Sequence, residues 1–559
     1  MFLLIMLGML FTSCARVGSP VGGDKDTLAP KFLSSNIDSP RVNVSRDLKE
    51  LRLNFDEYVT LKNPQTQIII SPPIKNIKKI IPSNLANKYV FIQWSDTLRA
   101  NTTYSFNFGN AIADYNEGNV VPYFNFAFST GAKLDSLYIS GMLRNAMLGN
   151  IKSTSSDKDK NFVVGLYQVK DTINFRQKPY YISKADKDGY FELNYLSPGK
   201  YKLIAFDDAN GNSVYDPDKE DLGFIKNDIT LDKSMSKQEI KLYPPQKKLV
   251  YKDMSVRDGG ILMLFEGNPK NVSVKQVGGT IKDYKITHSP YSDSVGIWFN
   301  GTKEHLPADK GTMLKFSYDD GQKKDTVQMF YKSNPKEDLV LDRHNGGEIV
   351  PQLPLVISAN MILDSINTKD WIFREDSLVS LPFRAKIVPE NPFLVAVNAD
   401  FKKNKKYTLV IPKESVFSFF QANQKNYAFE FKVGDSRNYG NLTLRLKNIP
   451  DMPFWIQLLD NQGKVVTERK IENKIEEIKY QTLKPSEYYV RILVDNNKDG
   501  YWETADLSSN TEAETVYLFS KKIEVRAMWD LVENWDLLSK EADVAKFSTL
   551  QGEFAPAKL

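Results

Sequence analysis

The chain has 559 residues, 41% of them apolar and 26% charged, which excludes a disordered chain or a polytopic membrane protein. Its 74 basic and 69 acidic residues nearly cancel, so no nucleic-acid partner is expected. Three histidines, one cysteine and the absence of HExxH, GxSxG, P-loop and CxxC motifs disfavour a His-rich zinc site, exclude an intrachain disulfide and give no sign of an enzyme. At the usual domain size this length suggests roughly four to six domains.

The first eleven residues, Met1 to Phe11, are almost all apolar. That is too short to span a bilayer, at about twenty residues, but suits a signal-peptide core. The following Thr12-Ser13-Cys14 resembles the lipobox of bacterial lipoproteins, with Phe11 where that pattern prefers Leu and no Lys or Arg before the run. The resemblance implies a signal peptide over 1–13 and acyl chains on Cys14, hence a lipid anchor in the outer membrane, on either face. Residues 14–30 hold Gly18, Pro20, Gly22, Gly23 and Pro30 and read as a flexible tether. The run Pro20 to Pro30 resembles the start of Ig-like-domain lipoproteins of Bacteroidota.

Beyond residue 30, period-two alternation recurs, as in Tyr123 to Phe128 and Tyr427 to Phe431, and predicts an all-β chain of tandem sandwiches. Two internal repeats divide it. Tyr104 to Gly131 aligns with Tyr407 to Gly434 at an offset of 303. Thr103-Tyr104, Asp114, Gly118, Asn119 and Phe126 to Phe128 resemble the ending of bacterial Ig-like domains, which implies Ig-like modules over 31–131 and 336–435. Leu196 to Leu203 aligns with Leu483 to Val490 at an offset of 287. With Asp188-Gly189-Tyr190-Phe191 ahead of it, the first copy resembles prealbumin-like, carboxypeptidase-regulatory-like sandwiches, which implies such modules over 132–246 and 436–530. Residues 247–335 read as a further β-sandwich and 531–559 as a tail, with Trp502, Trp529 and Trp535 expected in core packing, the alternative being a sugar-stacking platform.

The triplet Asp-Ser/Thr-aliphatic occurs eight times, where average residue usage gives roughly two. It resembles the O-glycosylation motif of exported Bacteroidota proteins, which implies sugars on Thr27, Thr97, Ser136, Thr172, Ser294, Thr326, Ser365 and Ser377. The other reading is that Asp-Ser/Thr favours turns before strands.

Each prealbumin-like copy runs into an Asp/Asn loop. In Asp495-Asn496-Asn497-Lys498-Asp499-Gly500-Tyr501-Trp502-Glu503-Thr504-Ala505-Asp506, oxygen side chains fall at positions 1, 3, 5, 9 and 12, the spacing that curls around a calcium ion. Asp495, Asn497, Asp499, Glu503 and Asp506, with the Tyr501 carbonyl, form the expected set. Its counterpart is Asp208, Asn210, Asn212 and Asp216 with Glu220, a less anionic set expected to bind more weakly. An acidic turn without an ion is the alternative in both. The role expected of calcium is structural. The function that follows is a lipid-anchored, non-catalytic outer-membrane scaffold. The alternatives are an accessory subunit of an outer-membrane assembly or secretion complex, and an adhesin whose partner is a glycan.

Overall fold

The computed structural model describes residues 25–539 apart from 150–160, 171–172, 268, 279–280, 290–291, 335–336, 345–347, 351 and 377–378. Cys14 and the segment expected to be a signal peptide lie outside these residues. Among the described residues helix is confined to Pro64–Gln67 and a 3-10 turn at Ser436–Asn438; the rest is strand and connection. The strands form because the chain alternates. In Glu50–Leu61, Leu51, Leu53, Phe55 and Val59 face inward while Glu50, Arg52 and Asp56 face out, so each such strand buries one side chain in two. The chain divides into two compact units, one of residues 1–144, 157–216 and 223–241, the other of 145–156, 217–222 and 242–559.

The first unit opens with a sandwich. One sheet orders Phe32–Ser35, Glu50–Leu61, Asn87–Trp94 and Ile77–Ile81; the facing one orders Ile69–Ser71, Thr103–Gly109 and Phe124–Ser129. Leu53, Val90, Ile92, Phe106, Phe108 and Phe128 fill the space between, each fully buried. The Asp114 carboxylate accepts from the backbone N–H of Glu117, Gly118 and Asn119 at 2.7–2.9 Å. Burial would raise its pKa, but these bonds bring it below the usual carboxylate value. The Asp, Gly and Asn of the sequence pattern are therefore one knot: a buried acid closing a turn.

In the second unit a sandwich repeats this order. Leu341–Arg343, Leu355–Ala359, Asn391–Ala399 and Phe383–Val388 form one sheet, and Ile372–Glu375, Lys406–Ile411 and Tyr427–Val433 run side by side in the other. The offset of 303 holds at the level of bonds. The Tyr104 hydroxyl accepts from Arg99 N–H at 2.8 Å and that of Tyr407 from Lys402 N–H at 2.7 Å. Tyr104 stacks on Phe128 at 5.7 Å and Tyr407 on Phe431 at 5.6 Å. A second sandwich of this unit pairs Val250–Arg257, Gly260–Glu266, Ser294–Trp298 and Lys285–Thr287 over Ser273–Gln276, Thr312–Asp319 and Lys324–Tyr331, around Ile261, Met263, Val295, Ile297 and Phe316.

The other repeat is equally literal. Tyr181–Lys184, Phe162–Gln168 and Gly199–Asp207, with Ile229–Leu231 also on the last, match Val465–Ile471, Phe454–Leu459 and Ser486–Val494, with Ile523–Val525. The Tyr201 hydroxyl donates to the Ser197 carbonyl at 3.0 Å and that of Tyr488 to the Lys484 carbonyl at 2.9 Å. One expected boundary needs correction. Asp530–Asp536, read as the start of a tail, is a strand paired in parallel with Gly440–Lys447. Trp535 and Leu537 enter the core of the last sandwich and Leu531 packs against it, and Glu533 on the same face hid the strand. Of the three tryptophans expected in the core, Trp535 is there, Trp502 is half-buried, and Trp529 is exposed beneath the Arg526 guanidinium at 5.0 Å.

Candidate functional site

The strand Ser486–Val494 delivers the chain into the C-terminal Asp/Asn loop, and Asp495 at its root is buried. Its carboxylate accepts from the N–H of Asp499 at 3.0 Å and of Gly500 at 2.9 Å. Asn497 Oδ1 accepts from Asp499 N–H and Asp499 Oδ1 from Tyr501 N–H, both at 2.9 Å. The three side chains are thus turned into the loop by its own backbone. Carboxylate and amide oxygens are the hard donors that calcium takes. Glu503 stands beside them, accepting from Asn497 Nδ2 at 3.1 Å.

The expected last ligand is elsewhere. Asp506 accepts from Ser508 N–H and Oγ at 2.8 and 2.7 Å and from Ser509 Oγ at 2.8 Å, closing its own turn. Burial acts to raise its pKa, but these bonds together lower it. The acid that does close the loop is Glu514, which has no place in the calcium spacing. Buried at 7% exposure, its carboxylate accepts from the N–H of Asn496, Asn497 and Glu503 at 2.7, 3.2 and 2.9 Å. Burial nevertheless pushes its pKa above the ordinary value, and Asp495 adds to this.

The N-terminal loop repeats the arrangement atom for atom. Asp208 accepts from Asn212 N–H at 2.9 Å and Ser213 N–H at 3.0 Å; Asn210 Oδ1 accepts from Asn212 N–H at 2.9 Å, and Asn212 Oδ1 from Val214 N–H at 2.6 Å. Asn210 Nδ2 donates to Asp216 at 2.6 Å, as Asn497 does to Glu503. Both loops need left-handed backbone at two aligned places: Gly211 and Ser213 in one, Lys498 and Gly500 in the other. Each copy keeps glycine at a different one of the two. Glu220, expected as a ligand here, is buried at 1% exposure.

Among the described residues no three His, Cys, Asp or Glu side chains are gathered as a metal-binding group. A cation in the C-terminal loop would therefore rest on Asp495, Asp499, the Asn497 amide and backbone carbonyls, and one in the N-terminal loop on Asp208, the amides of Asn210 and Asn212 and backbone carbonyls. That all-oxygen set fits calcium and offers nothing to softer metals. Within the second unit the C-terminal loop is also a junction. Thr504 Oγ1 donates to the Pro244 carbonyl at 2.6 Å, the Trp502 and Tyr243 rings lie 6.4 Å apart, and Lys270 reaches the Asp499 carbonyl at 3.5 Å.

Of the hydroxyls expected to carry sugar, Thr27, Thr97, Ser136, Thr326 and Ser365 are exposed and Ser294 is half-buried. Thr172 and Ser377 lie outside the described residues.

Residues 26–130 match the bacterial Ig-like domain family. No curated protein matches the chain. Among solved structures, the S-layer protein rSbsC(31-844) is 10% identical over 90% of this chain and 68% of its own, with a TM-score of 0.14. The major pilin subunit BcpA of Bacillus cereus is 12% identical over 72% and 99%, with a TM-score of 0.13. SGBP-B of a Bacteroides ovatus mixed-linkage glucan utilization locus, solved with a heptasaccharide, is 11% identical over 63% and 88%, with a TM-score of 0.19.

Proposed function

We propose that this modular β-sandwich protein is a non-catalytic scaffold of the cell envelope, held at the outer membrane by acyl chains on Cys14 and stiffened by calcium in its Asp/Asn loops. The observation that carries the calcium reading is the duplication of the loop. Two copies 287 residues apart orient oxygen-bearing side chains at the same three positions through the equivalent backbone N–H groups, with Asp499 in one loop where the other has Asn212. The scaffold reading is supported by the construction. Separate sandwiches each enclose their own core, and the C-terminal loop lies where residues 243–244, Lys270 and the last sandwich meet. An ion there would lock that junction, since a ligand bound only by the folded form stabilises it by mass action.

Anchor and ion are tested apart. Metabolic labelling with palmitate is expected to mark the wild type and not Cys14→Ala, and an unlabelled wild type refutes the anchor. Terbium, a luminescent stand-in for calcium, is expected to be sensitised by Tyr501 and Trp502 and displaced by calcium. Asp495→Asn should lose that signal and leave the weaker one from Asp208 and Tyr215. Wild-type protein without a calcium-displaceable signal refutes the ion. A pull-down from native membranes in mild detergent, with and without chelator, then reads the partner: a stoichiometric barrel protein lost on chelation makes the scaffold a subunit of a larger machine.

A further inference from the structure

Within the first unit, the outer face of the sheet holding Thr103–Gly109 and Phe124–Ser129 lies against the edge of the following sandwich. Ser71 fastens the two. Its Oγ accepts from Ile182 N–H at 3.0 Å and donates to the Ile182 carbonyl at 3.4 Å. Beside this clamp the surfaces part into a narrow polar cleft with about 20 Å³ of free space, room for one or two water-sized groups.

Its walls are polar and complementary. On one side stand Asn107 and Asn125, directly opposite one another across the strand pair. The Oδ1 of each is already engaged, by Gly109 N–H at 2.8 Å and Ser105 Oγ at 2.9 Å, while their Nδ2 groups have no partner in the structure. Opposite them, alternation places Tyr190, Glu192 and Asn194 on one face of the strand Tyr190–Leu196, with Phe191 and Leu193 buried behind. Glu192 accepts from Tyr190 OH and from Asn194 Nδ2, both at 2.6 Å, which leaves lone pairs on its carboxylate and the Asn194 Oδ1 free. Donors thus face acceptors across a gap. Next to Glu192 the Tyr190 ring is 41% exposed, held in place by its bond to that carboxylate.

We infer that this cleft is a binding site for a neutral glycan. A sugar hydroxyl both donates and accepts. A pair of hydroxyls can therefore take the amide N–H groups of Asn107 and Asn125 while donating to Glu192 and Asn194. The apolar C–H face of a pyranose packs on an exposed tyrosine ring, which presents a large flat apolar surface with a polar end. Glu192 is the one charged side chain among the lining residues, and it repels an anionic ligand. The lining also lacks a deep apolar pocket of the kind that anchors peptide side chains. The inference depends on neither the lipid anchor nor calcium.

The test is native affinity electrophoresis of the full chain in mild detergent through gels carrying α-mannan, amylopectin, arabinoxylan or galactan, with an array of neutral and acidic pyranose oligosaccharides alongside. Wild-type protein is expected to bind at least one neutral glycan. The double variant Asn107→Ala, Asn125→Ala and the single variant Tyr190→Ala are each expected to weaken binding about tenfold or more. Glu192→Gln keeps the shape of the wall and should weaken binding if the double variant fails to fold, which its thermal transition reports. Absence of neutral-glycan binding, a preference for acidic glycans, or affinity unchanged in the folded variants overturns the inference.

Discussion

Replacing Glu514 by alanine removes the acceptor of three backbone N–H groups at once, those of Asn496, Asn497 and Glu503. Hydrogen bonds to a charged group contribute about 1.5–3 kcal/mol each, and a buried donor left unpaired costs a similar amount. The three share one carboxylate and the loop can admit water, so they do not add in full; a loss of about 3 kcal/mol is expected. For a sandwich of this size each kcal/mol moves the midpoint by about 4–8 °C, so the transition of the last sandwich should fall by about 12 °C or more. Glu514→Gln keeps one acceptor oxygen and should lose about half as much. The pH dependence has a definite sign. The folded pKa of Glu514 is raised above 4.5, by burial first, so its contribution is complete below the unfolded pKa and lost as pH rises through the folded one. Wild type should therefore lose stability on moving upward through that window, and Glu514→Gln should lack this slope. Hydrogen exchange read on a peptide spanning 495–515 reports the loop, and calorimetry reports the sandwich. If Glu514→Ala stays within about 0.5 kcal/mol of wild type, the size of an ordinary surface substitution, the clamp does not exist.

Tyr201→Phe and Tyr488→Phe each delete one hydroxyl donating to a carbonyl four residues upstream; each should cost about 1 kcal/mol in urea unfolding, with Tyr201→Phe the dearer because Ser197 Oγ loses a partner too. Gly141→Ala would place a Cβ 2.0 Å from the Gln238 carbonyl oxygen. That atom is backbone and cannot swing aside, so a loss of about 3 kcal/mol or more is expected, and a neutral result would refute so close an approach of the two strands. Phe106→Ala opens a cavity in the fully buried core of the first sandwich and should cost about 3–5 kcal/mol, read by denaturant titration.

The repeats were legible because the residues that carry them are held by packing. Tyr104 and Tyr407 must meet the same N–H and the same phenylalanine, and such constraints survive as identical spacing. The loop was legible in part for a similar reason: Asp495, Asn497 and Asp499 act on backbone groups two to five residues away, so their separation is their function. Asp506 matched the spacing by position alone. The local competitor was visible in Ser508 and Ser509, since an aspartate followed by serines favours a turn of its own. Glu514 was not legible, because it reaches the loop from the connection ahead of the strand Val516–Leu518 and no local rule links it to Asn496. The strand Asp530–Asp536 was hidden because its apolar alternation is broken. Leu531, Glu533 and Trp535 share the inner face, but Glu533 is charged and the apolar Val532 faces out, so only the partner strand Gly440–Lys447 shows which side is inward.

That last pairing has a mechanical meaning. Seven residue pairs, Asn441 with Asp530 through Lys447 with Asp536, run in the same direction, and they join the first strand of the sandwich to its last. A pull applied between the two ends of the sandwich therefore loads all seven pairs together, in shear, instead of peeling them apart one at a time. Glu348–Ile349 repeats the geometry against Tyr427–Val433 in the preceding sandwich, with only two pairs. Under tension the last sandwich should yield after its neighbour, and single-molecule stretching that finds the reverse order would show that these strands do not bear the load.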